Sequence, residues 1–326
     1  MLDDYNSGMK QKLSCRFLEN HCIAADGTLS FCFSGYKDNK YPRVMFTGNY
    51  TKTVEKFISL QQQILYNLNE NILNPCTNCP GLAKDYYPIK TENFKIKLFT
   101  FQSGGTCNLR CSYCVATKNK NATALRIDLP ELFAEFKARD MLAPTFSCSF
   151  AAGEISINPK CEEICTALQI CESCRLFSNS LVYNEYISAL LALGKTKIIV
   201  SVDSGTRETF AKVKGVNAFD RVCDTLHRYG RESKDAIILK YILLPGINDN
   251  VKDIESFNAL ARDINCKSIT ISTDMLNTTP INEHTVLMSE YLWKSAKDLS
   301  ILCDTNSYAL AEKMSVPIDM QKNIFI

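Results

Sequence analysis

Histidine is nearly missing from this sequence: His21, His227 and His284 are the only three in 326 residues, and no acid or metal-ligand spacing surrounds them. A histidine-based hydrolytic centre therefore has no support. No apolar run approaches the roughly 18 residues that span a bilayer, and the first residues lack the basic, apolar and small-residue order of a secretion signal. The expectation is a soluble, cytoplasmic protein with no membrane partner. An excess of either charge is missing too, since 37 Lys+Arg face 35 Asp+Glu for a net charge of +2. Without a global basic field, no nucleic-acid partner is expected. Glycine is sparse at 13 residues; with no internal period and no low-complexity tract, neither a solenoid nor a disordered arm is supported.

Cysteine, by contrast, is abundant, with 16 residues. In a reducing compartment disulfides explain such a number poorly, which leaves metal ligation, catalysis or plain burial. The length suits one large α/β domain plus a smaller lobe, because single barrels commonly take about 200–250 residues.

From about residue 94 short β-rich runs alternate with helical patterns, the sign of successive β-α units around a parallel sheet. Six strands are predicted, at Lys95 to Phe101, Thr145 to Ala151, Cys174 to Ser178, Lys197 to Val202, Ala236 to Leu243 and Ser268 to Ser272. Helices are predicted from Leu109 onward and at Asp128 to Ala138, Cys161 to Ile170, Asn184 to Leu193, Thr206 to Tyr229, Val251 to Ile264 and Ser289 to Cys303. Residues 1–93 read as a separate cysteine-rich α+β lobe. It holds a hairpin across Asp26-Gly27, pairing His21 to Ala24 with Thr28 to Cys32, and an amphipathic helix near Thr53 to Leu68. Pro75, Pro80, Gly81 and Pro88 mark its end, and residues 94–326 form the expected core domain.

Directly after the first core strand, Ser103-Gly104-Gly105-Thr106 leads into Cys107-Asn108-Leu109-Arg110-Cys111-Ser112-Tyr113-Cys114, a C-x3-C-x2-C spacing. An iron–sulfur cubane takes one thiolate per iron, so three cysteines leave one iron open for another ligand. In parallel α/β barrels the loops after strand ends line the ligand-binding mouth, and the first strand delivers these cysteines there.

This segment closely resembles the signature of the radical SAM superfamily, and the resemblance extends over roughly residues 94 to 275. It implies a partial (β/α)6 barrel, a [4Fe-4S] cluster on Cys107, Cys111 and Cys114, and S-adenosylmethionine (SAM) chelated at the open iron, with Tyr113 against the adenine. Ala152-Gly153-Glu154 resembles the family's Gly-Gly-Glu motif, which receives the methionine amino group; Ala152 replaces the first glycine, and its methyl makes a positive φ costly. Ser201-Val202-Asp203-Ser204-Gly205 resembles the segment whose serine contacts the SAM ribose or carboxylate, and two-residue alternation places Ser201 and Asp203 on one side. Lys214 stands where the family more often has an arginine paired with the SAM carboxylate; a lysine supplies a point charge rather than a bidentate fork. Lys240 to Asp249 looks like the strand and loop that flank adenine.

The N-terminal pattern of Cys15, Gly27, Cys32 and Cys76-Thr77-Asn78-Cys79 resembles the Twitch half of SPASM/Twitch modules, which hold an auxiliary iron–sulfur cluster. Here it precedes the barrel, whereas those modules usually follow it. Zinc also accepts four thiolates, and Cys22 competes with Cys15 as the first ligand, so metal and ligand stay open at this point.

Elsewhere burial is the expected role. Cys161, Cys165, Cys171 and Cys174 form a tempting set, but the first two lie on a helix outside the sheet, and cysteine is often simply buried. Cys148, Cys223, Cys266 and Cys303 read likewise, and Tyr86-Tyr87 and Phe99-Thr100-Phe101 read as packing aromatics. The resemblance implies an enzyme that cleaves SAM reductively to a 5′-deoxyadenosyl radical, with a reductant such as flavodoxin or ferredoxin and a peptide or a sugar-like small metabolite as substrate. The rivals are an iron–sulfur electron carrier or scaffold and a zinc-stabilised binding module on an inert barrel.

Overall fold

The computed structural model describes residues 9–32, 43–79, 81–88, 94–103, 105–114, 126–233, 235–274, 280–305 and 307–315. Pro80, Gly104, any helix beyond residue 114 and the side chains of Tyr86 and Tyr87 lie outside this description. By internal contacts the chain forms two compact units: Met1–Gly104 with Ala122–Phe150 and Thr166–Ser173, and Gly105–Asn121 with Ala151–Cys165 and Cys174–Ile326.

The first unit begins with β1 (Met9–Ser14), α1 (Arg16–Asn20), β2 (His21–Ala25) and β3 (Thr28–Ser30). Asp26 and Gly27 both take positive φ, 45° and 74°. That is the turn geometry that twists two strands into a tight hairpin; the pairing runs Ile23–Ala25 against Thr28–Ser30, one residue nearer the turn and shorter than expected. Next come β4 (Val44–Met45), α2 (Tyr50–Asn69), β5 (Ala83–Pro88), β6 (Ile96–Ser103), α3 (Leu129–Ala138) and β7 (Leu142–Ala152). Asn49 caps α2 by accepting the Lys52 N–H, and the inward stripe Val54, Phe57, Gln61, Ile64, Leu65 and Leu68 follows helical spacing. Strand β2 runs parallel to β6, His21 beside Leu98 through Ala25 beside Gln102, so the predicted N-terminal lobe and the first core strand share one sheet. Phe99, fully buried, meets Phe133 edge-on at 5.0 Å, and Phe101 stacks on Phe150 at 5.1 Å, which confirms packing roles for this aromatic pair.

The second unit carries α4 (Cys161–Leu168, which ends in the first unit), β8 (Ser173–Ser178), α5 (Glu185–Ala192), β9 (Thr196–Ser201), α6 (Arg207–Lys214), α7 (Phe219–Glu232), β10 (Ile237–Leu243), α8 (Val251–Asp263), β11 (Ser268–Thr273), α9 (Glu283–Asp298), β12 (Leu302–Thr305) and α10 (Tyr308–Ala311). Strands β8 to β12 are hydrogen-bonded in chain order and all parallel. All six predicted strands are present, giving a mixed α/β fold with a parallel sheet. Tyr241 of β10 packs edge-on against Phe257 of α8 at 4.8 Å, which identifies the face that the helices cover.

Three predicted elements are corrected. The single helix over 206–229 is two, because Gly215 takes φ 70° and caps α6 in the left-handed region. The last long helix begins at Glu283 rather than Ser289 and stops at Asp298, and Leu302–Thr305 is a further parallel strand. Leu109 to Cys114 is loop with a turn at Ser112-Tyr113, not helix. Among the described residues no helix is long and apolar enough to cross a membrane.

Candidate functional site

The three-cysteine loop is held against the end of α6. A helix leaves its last carbonyls without internal partners, and here the loop answers them: Arg110 N–H donates to Lys214 O and Ser112 N–H to Val213 O, each at 2.9 Å. Gly215 makes this approach feasible, because a Cβ there would lie 2.9 Å from both Cβ and O of Arg110. At the loop's other end Glu154 N–H donates to Thr106 O at 2.9 Å. A Cβ on Gly153 would fall 2.7 Å from that oxygen, and Gly153 itself has φ 54°. The positive φ therefore falls on Gly153, not on Ala152, and the replacement of the family's first glycine carries no backbone strain.

Cys107 is exposed, while Cys111 and Cys114 are half-buried. Loss of solvent raises the Cys107 thiol, opposed by the Leu109 N–H and the Asn179 amide. Cys111 is raised first by burial, then lowered by the Lys214 charge and raised again by Asp203 and the other two thiols. The three sulfurs are thus electrostatic neighbours. Among the described residues no three His, Cys, Asp or Glu side chains converge on a single metal ion; a cubane binds each thiolate to a different iron and needs no such convergence. Donor type, number and partial exposure fit a three-thiolate cluster.

Around the loop stand residues from the carboxyl ends of four strands, β7 to β10. After β8, Asn179 donates its amide to Asn108 Oδ1 at 2.7 Å and to Cys107 Sγ at 3.6 Å. Glu154 is 2% exposed. Its carboxylate accepts Ser156 N–H at 3.0 Å, Ser178 O–H at 2.7 Å and Asn179 N–H at 2.5 Å. It is not a solvated loop acid, and of its roughly four acceptor directions one is left.

After β9, Ser201 is half-buried and Asp203 fully buried. The strand stops at Ser201 and Asp203 has φ 57°, so simple alternation does not relate the two. Asp203 Oδ1 accepts Ile242 N–H at 2.7 Å, and Oδ2 accepts Tyr113 O–H at 2.5 Å and the Lys214 ammonium. Lys214 Nζ also donates to Tyr113 Oη at 2.6 Å. Lys214 is 1% exposed, neither a solvated helix-end lysine nor free for an outside carboxylate; its partner is internal. Burial, then the Asp203 charge, pushes the Tyr113 hydroxyl far up, so it remains a donor.

After β10, Leu243, Pro245 and Ile247 join Ser112, Tyr113 and Thr273 around a cavity of ≈ 180 Å³. Drug-sized pockets measure about 300–1,000 Å³, so this one suits a single flat ring system. The sequence reading missed Asn179 and, though it placed Asn248 in the adenine-flanking loop, gave that residue no role of its own. Asn248 donates to Asp203 O at 2.8 Å and Ile242 O at 2.7 Å, and accepts Leu244 N–H. The available signal was position, since both follow strand ends of a parallel sheet, where ligands collect.

The N-terminal cysteines have their own arrangement in the first unit. Cys15 caps α1, its sulfur accepting Leu18 N–H at 3.4 Å. Burial raises its thiol first, the Leu18 and Phe17 N–H groups oppose that, and the neighbouring Cys32 and Cys79 raise it further. Cys79 N–H closes a turn on Cys76 O at 3.0 Å, and Cys76 belongs to a small core with Leu18, Ile64, Leu65 and Leu68, against which Cys15 packs. Cys22 is fully buried on β2, with loss of solvent the sole cause raising its thiol.

Cys161 and Cys165 are 4% and 3% exposed with sulfurs 3.9 Å apart, and Cys171 and Cys174 are equally enclosed, as expected of packing residues. Cys148 and Cys266 are buried, and Cys223 and Cys303 half-buried.

A parallel α/β protein presenting three thiols, a ring-sized cavity and buried polar anchors at its strand ends belongs to the class that binds an iron–sulfur cluster beside an organic ligand. Over residues 101–257 the chain matches the model of the radical SAM superfamily. The family implies a [4Fe-4S] cluster and SAM as cofactors. Among curated proteins it resembles a GTP 3′,8-cyclase of Chlorobaculum tepidum, 25% identical over 166 residues, which are 48% of this chain and 47% of that protein. The chain thus spans about half the length of that relative. Among solved structures, SuiB of Streptococcus suis bound to S-adenosylmethionine matches with a TM-score of 0.52 at 10% identity, covering 93% of this chain and 72% of that one. SuiB bound to the precursor peptide SuiA matches with a TM-score of 0.50 at 10% identity, over 92% and 74%. At such identities these two matches concern the fold alone.

Proposed function

We propose that the chain is a radical SAM enzyme in which Cys107, Cys111 and Cys114 hold the [4Fe-4S] cluster and SAM docks at its open iron. The observation that carries this reading is the clamped loop: three neighbouring thiols fixed at both ends by backbone hydrogen bonds, beside a ring-sized cavity. When bound and reduced, by a flavodoxin or ferredoxin, the cluster supplies the electron that splits SAM into methionine and a 5′-deoxyadenosyl radical for hydrogen abstraction from substrate. The chain's own groups bind and aim. Tyr113 with Leu243, Pro245 and Ile247 walls the adenine site; Gly153 lets the loop backbone at Gly105 and Thr106 approach, and Glu154 offers its remaining acceptor direction to the methionine amine. Ser201 presents its hydroxyl on the same side. Asp203 and Lys214 act through Tyr113 and the loop, holding both in place.

The substrate is a peptide or a small metabolite. Peptide modification is supported by likeness to a peptide-binding fold, and the nucleotide alternative by the GTP 3′,8-cyclase match. Cys15, Cys32, Cys76 and Cys79 would hold a second, auxiliary cluster, with the working compartment the cytoplasm.

The test is product analysis. Anaerobically loaded protein, reduced with dithionite and given SAM, is expected to release 5′-deoxyadenosine, and exchange of Cys107, Cys111 and Cys114 for alanine to abolish it. A loaded wild-type protein that releases none would leave the electron-carrier reading standing.

A further inference from the structure

Tyr241 turns toward α8, so its neighbours on β10, Lys240 and Ile242, face the opposite, inner side of the sheet. In register, Lys240 lies beside Ser201 of β9 and Thr270 of β11, and Thr270 lies beside Asp304 of β12. Neighbouring strands are about 4.8 Å apart, so Ser201, Lys240, Thr270 and Asp304 form one polar row across four strands. On the same face lie the apolar Ile199, Ile238 and Ile242 and, on β11, Ser268 and Ser272.

Lys240 is 7% exposed, and among the described residues no hydrogen bond or ion pair engages its ammonium. Burial lowers its pKa, Asp203 opposes that change and Lys214 adds to it. Asp203, the carboxylate whose charge acts on Lys240, is already committed to Lys214 and Tyr113. A buried cation without a counter-ion is costly, and a ligand anion would remove that cost.

We propose that Lys240, flanked by the hydroxyls of Ser201 and Thr270, is an anion-binding site on the inner face of the sheet that takes a carboxylate or phosphate group. The anion comes from one of two sources: the methionine carboxylate of SAM, which Lys214 is not free to meet, or an acidic group of the substrate. The proposal rests on reading this side of the sheet as the SAM and substrate side.

The experiment uses the full chain, anaerobically loaded, as wild type, Lys240→Met and Lys240→Arg, with Lys240→Gln as a second neutral variant should the methionine variant fail to fold. One arm measures equilibrium binding of SAM and of decarboxylated SAM. If SAM supplies the anion, wild type binds SAM about tenfold or more tightly than the decarboxylated analogue, and the neutral variant binds both alike. The other arm compares melting temperatures in sodium acetate or phosphate with those in chloride of equal ionic strength. If a second ligand supplies the anion, all variants bind SAM alike, while acetate or phosphate raises the melting temperature of wild type and Lys240→Arg but not of the neutral variant. A neutral variant that matches wild type in both arms overturns the proposal. Failure of wild type to bind SAM would instead count against the enzyme reading, and the acetate and phosphate arm would still decide the anion site.

Discussion

Lys214 and Asp203 form an ion pair with side chains 1% and 0% exposed, and the pair is hydrogen-bonded to Tyr113 of the three-cysteine loop. Removing one member strands the other in a dry site, at a cost of about 3–5 kcal/mol. Asp203→Asn and Lys214→Met should each lower stability by that order in urea unfolding. The double variant should recover part of the loss, because neither charge is then left alone. Additive losses would show that the two side chains do not act as a pair.

Gly215 and Gly194 separate backbone strain from collision. Both have positive φ, 70° and 75°, but a Cβ at Gly215 meets Arg110 at 2.9 Å whereas one at Gly194 meets nothing within 4 Å. Gly194→Ala should cost about 1–2 kcal/mol of strain and leave iron content unchanged. Gly215→Ala carries the same strain and must also push the cysteine loop off α6, so iron bound per chain after anaerobic loading should fall. Equal iron content in the two variants would show that the clamp does not govern the cluster.

His21, beside Thr100 Oγ1 at 3.0 Å, has its pKa pushed from 6.5 to about 4, first by loss of solvent. Between those values the unfolded chain takes up a proton that the folded chain refuses, so stability rises with pH through this window and is lost as pH falls from about 6.5 towards 4. The full contribution is on the order of 3 kcal/mol. Urea midpoints of wild type and His21→Gln, compared at pH 7.5, 5.5 and 4.5, should differ by amounts that shift over this range. A constant difference would mean that the ring does not resist protonation.

What could be read from the chain depended on how local the cause was. Asp26-Gly27 specifies its own turn, and the apolar periods of β9 and β10 specify strands, so these elements were legible. The break at Gly215 was not, since glycine is tolerated inside a helical pattern and the reason for a left-handed residue there lies about a hundred positions away in Arg110. Cysteine spacing exposed the loop, but the fate of Lys214 depended on Asp203 leaving the strand period. Asn179 carries no motif, and the resemblance of Lys240 to Asp249 gave Lys240 and Asn248 no individual role; strand ends and register bring all three to the site.

The auxiliary lobe makes a prediction that separates two cysteines seven residues apart. Cys15 has Cys32 and Cys79 as electrostatic neighbours and packs against the core that contains Cys76, whereas Cys22 is sealed within β2 beside Phe99. If the lobe holds a four-thiolate site, Cys15→Ala should remove about four of about eight irons per chain while leaving SAM cleavage by the Cys107 cluster measurable. Cys22→Ala should keep all the iron and lose only packing, about 1 kcal/mol or somewhat more for a small buried side chain. Iron, sulfide and zinc counts on both variants check this. Zinc lost with Cys15→Ala, with iron near four throughout, would make the lobe a structural zinc site; iron lost with Cys22→Ala instead would move the ligand to β2, which requires the hairpin to open, because a fully buried thiol on a paired strand cannot reach a shared cluster without breaking that pairing.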